Sequence, residues 1–246
     1  MSLKNQFKRI FFGKRETNPQ KAYDLWAAEY DAQPGNLMLD MDEELFASFL
    51  NQITIAGKVV ADIGCGTGRH WKKIMQKGPK RLIGYDVSEA MLNKLRQKFP
   101  NAETHIINNY HLQELDNNSC DVIISTLAIA HISIIEKALQ EWVRVLKPGG
   151  EIIMTDYHPE ALSKGGKRTF KHKGRLVAVK NYIHPIEKIR LLARQLHLKE
   201  IRFTERVIDD SVKGYYERQN VLSLFEQFRE VPIIYGIHLK KADDPA

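Results

Sequence analysis

The stretch Val59–His70, VVADIGCGTGRH, decides how the chain is read. Val59, Val60 and Ile63 favour an extended strand. Gly64, Gly66 and Gly68 follow at every second position. Glycine at that spacing lets the backbone turn tightly and brings a ligand against bare amide groups. A helix opening at about Thr67 would turn its unpaired N–H groups to the same spot. Strand, glycine loop and helix start describe a corner that holds a nucleotide-type ligand. An ordinary tight turn is the plainer alternative, since a glycine motif alone is weak evidence.

Outward from this corner the pattern alternates. RLIGYD (81–86), ETHIIN (103–108), DVIISTLA (121–128) and EIIMTDY (151–157) read as strands. SEAMLNKLRQKF (88–99) and the run from Ile134 to Leu146 read as helices, with apolar residues three and four apart. Lys147-Pro148-Gly149-Gly150 reads as a turn. Such alternation predicts a Rossmann-like α/β fold, a doubly wound, mostly parallel sheet with helices on both faces. Upstream, Asn18-Pro19 signals a helix start. QKAYDLWAAEY (20–30) and a helix from about Met38 to Leu50 are expected to lie as a lid over the strand ends. Downstream, KRTFKH and RLVAVKNY flank Lys173-Gly174 and read as an inserted antiparallel β-hairpin. Helix resumes over 185–196, strand over 199–208, helix over 214–228, and VPIIYGIHLKK is the last strand.

At 246 residues the chain suits one sizeable domain. It divides into an arm with lid helices (1–50), a cofactor-binding core (55–157), a hairpin cap (158–184) and a closing part of the sheet (185–246). No apolar run approaches the roughly 20 residues that span a bilayer. The opening MSLKNQFKRIFFGKRE lacks the apolar core of a secretion signal, so a cytoplasmic location is expected. Two cysteines, Cys65 and Cys120, are too few for a disulfide framework or a metal cluster, and no metal site is expected. The net charge of +7 concentrates near the N-terminus and in 164–180. A solvated face explains such charge more often than nucleic acid does.

Open parallel sheets bind ligands beyond the C-terminal strand ends. The glycine loop, Asp86, and Asn108, Asn109 and Tyr110 all fall there. A carboxylate at the end of the second strand accepts hydrogen bonds from both hydroxyls of a ribose. A dinucleotide fingerprint would need glycine at position 69, which is Arg69. Asp62, just before the loop, suits a cationic ligand end better than a pyrophosphate. The pattern favours a ligand with a ribose, an adenine and an amino-acid part.

VADIGCGTG, IGYDVSEAML, NNSCDVI and LKPGG, with the AYDLWAAEYD opening, together resemble the class I S-adenosylmethionine-dependent methyltransferases. Within them the chain is most similar to the small-molecule, ubiquinone/menaquinone-methylase-like branch. The resemblance implies a seven-stranded sheet with an antiparallel last strand, and S-adenosyl-L-methionine as cofactor, leaving as S-adenosyl-L-homocysteine. It implies that Gly64, Cys65, Gly66 and Gly68 with their amides hold the methionine part, and that Asp62 orders its amino group. Asp86 would grip the ribose and Val87 would pack on the adenine. The family usually has an Asp after the third strand; here Asn108 or Asn109, with Tyr110, occupies that region. Thr126 and Leu127 would line the methyl-donor side.

Should the acceptor lose a proton during attack, His131, Tyr157 and His158 are the candidate bases, although a structural or orienting role is commoner for a single histidine. Tyr23, Trp26, Tyr30 and His184 are candidates for the acceptor pocket. The expected function is methyl transfer to a small-molecule acceptor by in-line displacement. The alternatives are an RNA or protein methyltransferase using the basic arm and hairpin, and a non-catalytic cofactor-binding protein. An oxidoreductase stands behind these. A nucleic-acid partner is not expected.

Overall fold

The computed structural model describes residues 16–108 and 110–243. The basic arm of 1–15 and Asn109 lie outside the described residues. Seven strands form one sheet: β1 (Val59–Ile63), β2 (Arg81–Asp86), β3 (Glu103–Ile106), β4 (Cys120–Thr126), β5 (Leu146–Tyr157), β8 (Leu198–Val207) and β9 (Pro232–Lys241), in the order β3-β2-β1-β4-β5-β9-β8. β1 pairs in parallel with β2 and β4, and β4 with β5. β9 alone runs antiparallel, inserted between β5 and β8. The expected architecture and its reversed last strand are therefore present. The order reverses at β1, so the C-terminal ends of β1 and β4 splay apart and leave a crevice.

Strand residues alternate between faces. Ala61, Ile63 and Ile123 pack in a buried cluster with α5 (Ile135–Val145) and α7 (Ile186–Gln195). Val60, Val122 and Ile124 pack on the opposite face with α2 (Leu37–Leu50). That α2 covers a sheet face corrects the expectation of a second lid helix. Met38, Met41, Leu45, Phe46, Phe49 and Leu50 are all buried, so its apolar stripe was the signature of core packing. α3 (Trp71–Gln76) and α4 (Glu89–Lys98) complete the crossovers between β1, β2 and β3.

α1 (Pro19–Trp26) is the N-terminal helix that lies over the strand ends. Asn18 caps it, accepting a hydrogen bond from the Gln20 amide at 3.0 Å. The inserted hairpin, β6 (Thr169–His172) and β7 (Arg175–Ala178), turns at Lys173 (φ 48°) and Gly174 (φ 73°), both in the left-handed region that a tight two-residue turn requires. It sits on α1, with Phe170 stacked on Trp26 at 4.4 Å and 6°. A short helix, α6 (Pro159–Ser163), precedes the hairpin. The helix predicted over 214–228 is two, α8 (Lys213–Arg218) and α9 (Leu222–Phe228), broken where Asn220 adopts φ 56°. LKPGG joins β5 as an irregular entry: the β4–β5 register shifts between Cys120 and Val122.

Candidate active site

The glycine loop turns earlier and more tightly than its sequence suggests. α3 begins at Trp71 rather than at Thr67. Gly64 N and Cys65 N donate to the Tyr85 carbonyl at 2.7 and 3.1 Å. Gly66 N donates to Asp86 Oδ2 at 2.9 Å. These amides are engaged with β2 and are not bare. Gly64, Gly66 and Gly68 all have positive φ. A Cβ on Gly64 would collide with Ala128, whereas one on Gly66 would project into open space.

The crevice beside this loop is a cleft of about 350 Å³. Gly64, Gly66, Asp86 and Val87 line one part of it, with Met91, Ile107 and Asn108 beside them. Thr126, Leu127, Ala128 and His131 line the β4 side, and Tyr23 and Tyr30 close it from α1 and the turn after it. Tyr110 and Tyr182 complete the walls. The sequence reading missed the parts played by Gln20, Ile107, Ser133 and Tyr182. Ile107 carried a signal, since it follows β3 directly; Tyr182 reaches the cleft only because its amide binds the Ala130 carbonyl at 2.7 Å.

Asp86 is 7% exposed, and its carboxylate also accepts from Ser88 N at 2.8 Å. Burial pushes its pKa up to about 6, against the backbone hydrogen bonds that favour the charged form. Asp62 stands beneath the loop and not in the cleft, where it accepts from the Trp71 indole at 2.9 Å. Burial lifts it to about 6 as well. Cys65 and Gly68 also face away: the Cys65 sulfur packs over Gly84, and Gly68 packs on Leu95 and Trp71. Arg69, in place of a third dinucleotide glycine, pairs with Asp42 and Glu43 and clamps the loop to α2. α1 is latched to the same region, with Thr67 Oγ1 donating to Asp31 at 2.6 Å and Ser88 Oγ donating to Asp24 at 2.6 Å.

Leu127 is buried with φ 53°, a conformation that costs a branched residue energy and clusters at functional sites. It turns the chain out of β4 into a short 3₁₀ turn, Ile129–His131. His131 Nδ1 lies 3.1 Å from the Lys180 carbonyl, and its Nε2 lies 2.8 Å from Tyr23 Oη. A carbonyl only accepts, so Nδ1 carries the proton and Tyr23 donates to Nε2. Burial and the nearby Arg168 charge depress the His131 pKa to about 3, and burial raises that of Tyr23. Both are neutral around pH 7.

Four further expected site residues lie outside the cleft lining. His158 caps α6, its Nδ1 accepting from Glu160 N at 3.2 Å, and its Nε2 is 3.4 Å from Glu205. Tyr157 packs against the α2 core cluster. Neither side chain lines the cleft: Tyr157 ends β5 packed in that cluster, and His158 lies past the strand in the cap of α6. His184 Nε2 donates to the Ile132 carbonyl at 2.7 Å and braces the wall from behind. Trp26 also lies behind the wall, stacked on Phe170.

Among the described residues lining the cleft, Asp86 is the one carboxylate, and no lysine or arginine is present. A pyrophosphate would find no cation there. A ligand with ribose hydroxyls, a flat base and a cationic sulfonium fits: a carboxylate for the hydroxyls, an apolar slot between Val87, Met91 and Ile107, and the backbone at Gly66 free of side chain.

Comparison with known proteins agrees. Residues 61–154 match the family described as "Methyltransferase domain". The chain is 34% identical over 113 residues to the ubiquinone/menaquinone biosynthesis C-methyltransferase of Campylobacter jejuni, covering 44% of this chain and 47% of that protein. It is 33% identical over 114 residues to the malonyl-[acyl-carrier protein] O-methyltransferase of Yersinia pestis, covering 45% and 41%. The S-adenosylmethionine-dependent methyltransferase of Mesorhizobium loti superposes with a TM-score of 0.60 at 16% identity, over 77% of this chain and 93% of that one. The chain thus spans about half the length of these curated relatives. Residues 61–154 therefore match a methyltransferase domain, and the fold is the one that S-adenosylmethionine-dependent methyltransferases have.

Proposed function

We propose that this protein transfers the methyl group of S-adenosylmethionine to a small-molecule acceptor. The observation that carries the reading is the cleft itself: among its described lining residues a single carboxylate at one end and no lysine or arginine, under a roof of α1 braced by the hairpin. A roofed cleft admits a small molecule more readily than a polymer. The relatives named above act, by name, on a quinone pathway compound and on a carrier-bound malonyl group; their acceptors differ, so neither is transferred to this chain.

Each role is assigned from position. Asp86 accepts from the ribose hydroxyls, and Val87, Met91 and Ile107 hold the adenine, with Asn108 at its edge. The backbone at Gly64 and Gly66 borders the methionine part, and Asp62 acts on it only through the loop it supports. The cofactor, when bound, supplies a methyl group on a positively charged sulfur. The protein's contribution is alignment and exclusion of water. Thr126, Leu127 and Ala128 form the wall past which the acceptor approaches. His131 is too weak a base near pH 7 to take a proton, so it orients Tyr23, whose hydroxyl faces the cleft.

No helix among the described residues is long and apolar enough to cross a membrane. Calorimetry with S-adenosylmethionine, followed by assay of S-adenosylhomocysteine formation across a panel of small acids, amines and phenols, tests the reading. Binding followed by small-molecule methylation is expected. Absence of cofactor binding would refute it, as would methylation of RNA or protein alone.

A further inference from the structure

Arg168 lies in the basic stretch of 164–180, whose charges read as a solvated face, yet it is only 4% exposed. Its Nη2 donates to Tyr30 Oη at 2.9 Å. Its Nε and Nη1 have no hydrogen-bond partner, and it forms no ion pair with any described residue. The facing acid is Asp156, whose two oxygens are taken by backbone amides: Oδ2 by Ala130 N at 2.6 Å and Oδ1 by Tyr157 N at 2.6 Å. The guanidinium instead sits 5.9 Å from the Tyr23 ring, 5.4 Å from Trp26 and 5.9 Å from Tyr30.

An arginine cannot shed its proton to escape burial. Aromatic faces offset part of the desolvation, but unpartnered N–H groups on a buried cation are costly. Such a group is explained by an anion that arrives from outside the chain. The location suits this. Tyr23 and Tyr30 line the cleft, and Arg168 stands directly behind them, on the side where Tyr23 meets His131. Asp86 serves the cationic cofactor at one end of the cleft, and Arg168 backs the Tyr23 and Tyr30 wall at the other, where an anion passing between these rings would meet it.

We propose that Arg168 anchors a carboxylate of the methyl acceptor, so that the acceptor is an anionic small molecule. This rests on the methyltransferase reading and names the substrate class. A carboxylate is preferred to a phosphate because a single guanidinium, with no lysine or arginine among the described residues lining the cleft, balances one negative charge and not two. Arg168 positions the acceptor and takes no part in the transfer itself.

The test uses the full-length protein saturated with S-adenosylhomocysteine and titrated with butyrate, butyramide or inorganic phosphate, followed by ligand-observed NMR. Butyrate is expected to bind about tenfold or more tightly than its neutral isostere butyramide. R168K, which keeps the charge but loses the planar fork, is expected to weaken butyrate about tenfold while S-adenosylhomocysteine affinity stays within about twofold. R168M is expected to erase the preference for butyrate; should it fail to fold, R168K carries the test. Equal binding of butyrate and butyramide overturns the proposal, as does an unchanged preference in R168K. Phosphate binding in place of butyrate overturns the carboxylate assignment. Failure of S-adenosylhomocysteine itself to bind is the separate result that would sink the methyltransferase reading.

Discussion

Asp86 shows how one residue couples chemistry to pH. Free, its pKa is about 6 because burial penalises the charge; accepting two hydroxyls favours the ionised form, so the pKa is lower in the complex. Affinity for S-adenosylmethionine is therefore full above about pH 7 and declines towards tenfold per unit below about pH 6. Binding at pH 6 should release about half a proton, read by calorimetry in buffers of different ionisation enthalpy. Asp86→Asn should lose about 1.5–3 kcal/mol of affinity and abolish the proton release; a variant that still releases it would move the titration to another group. The glycines separate in the same way. Gly64→Ala meets both a left-handed backbone and Ala128, so urea unfolding should record a loss of about 1–3 kcal/mol or more. Gly66→Ala meets open space, and should cost cofactor affinity more than stability. His131, neutral and bonded at both nitrogens, is expected to leave no limb near pH 6–7 in the pH–rate profile. A limb lost in His131→Ala would restore it as a base.

At the scale of elements, the cap is a joint structure. α1 alone is eight residues long, too short to be stable by itself. It is held by Asp24 and Asp31 on one side and by the hairpin on the other. The Trp26–Phe170 stack should give a coupling of about 0.5–1.5 kcal/mol in a double-mutant cycle to alanine. Loss of either ring should also weaken the roof over Tyr23 and Tyr30. His158→Ala, by contrast, removes a helix cap and a contact with Glu205. It should lower stability by about 0.5–2 kcal/mol and leave turnover unaffected; a collapse of turnover with intact cofactor binding would return His158 to the site. The hairpin turn was legible because Lys173-Gly174 separates two β-like runs. The two roles of the N-terminal helices were not, because the apolar stripe of a lid and that of a core helix look alike until the opposing surface is known.

For the whole molecule, ligand binding is also a folding statement. S-adenosylhomocysteine at 100 times its dissociation constant should add about 2.7 kcal/mol of stability, a rise of about 5–10 °C in Tm. A nicotinamide dinucleotide at the same concentration should leave Tm unchanged, since no cation lines the cleft to meet its phosphates. The reversed last strand came from the family resemblance, while the sequence by itself determined the strand–helix alternation, the glycine turn at Gly64–Gly66 and the strand-end acid Asp86. These are local patterns: hydrophobic period, positive-φ glycine and a strand-end carboxylate leave their marks within a few residues. Only the tertiary structure decided which residues meet around the cleft. Tyr23 meets His131 across 108 positions, Arg168 reaches Tyr30 across 138, and Tyr157 and His158 do not line the cleft they adjoin in sequence. Side-chain direction at a strand end, and the docking of a hairpin on a distant helix, arise from long-range packing, and no stretch of the chain records them alone.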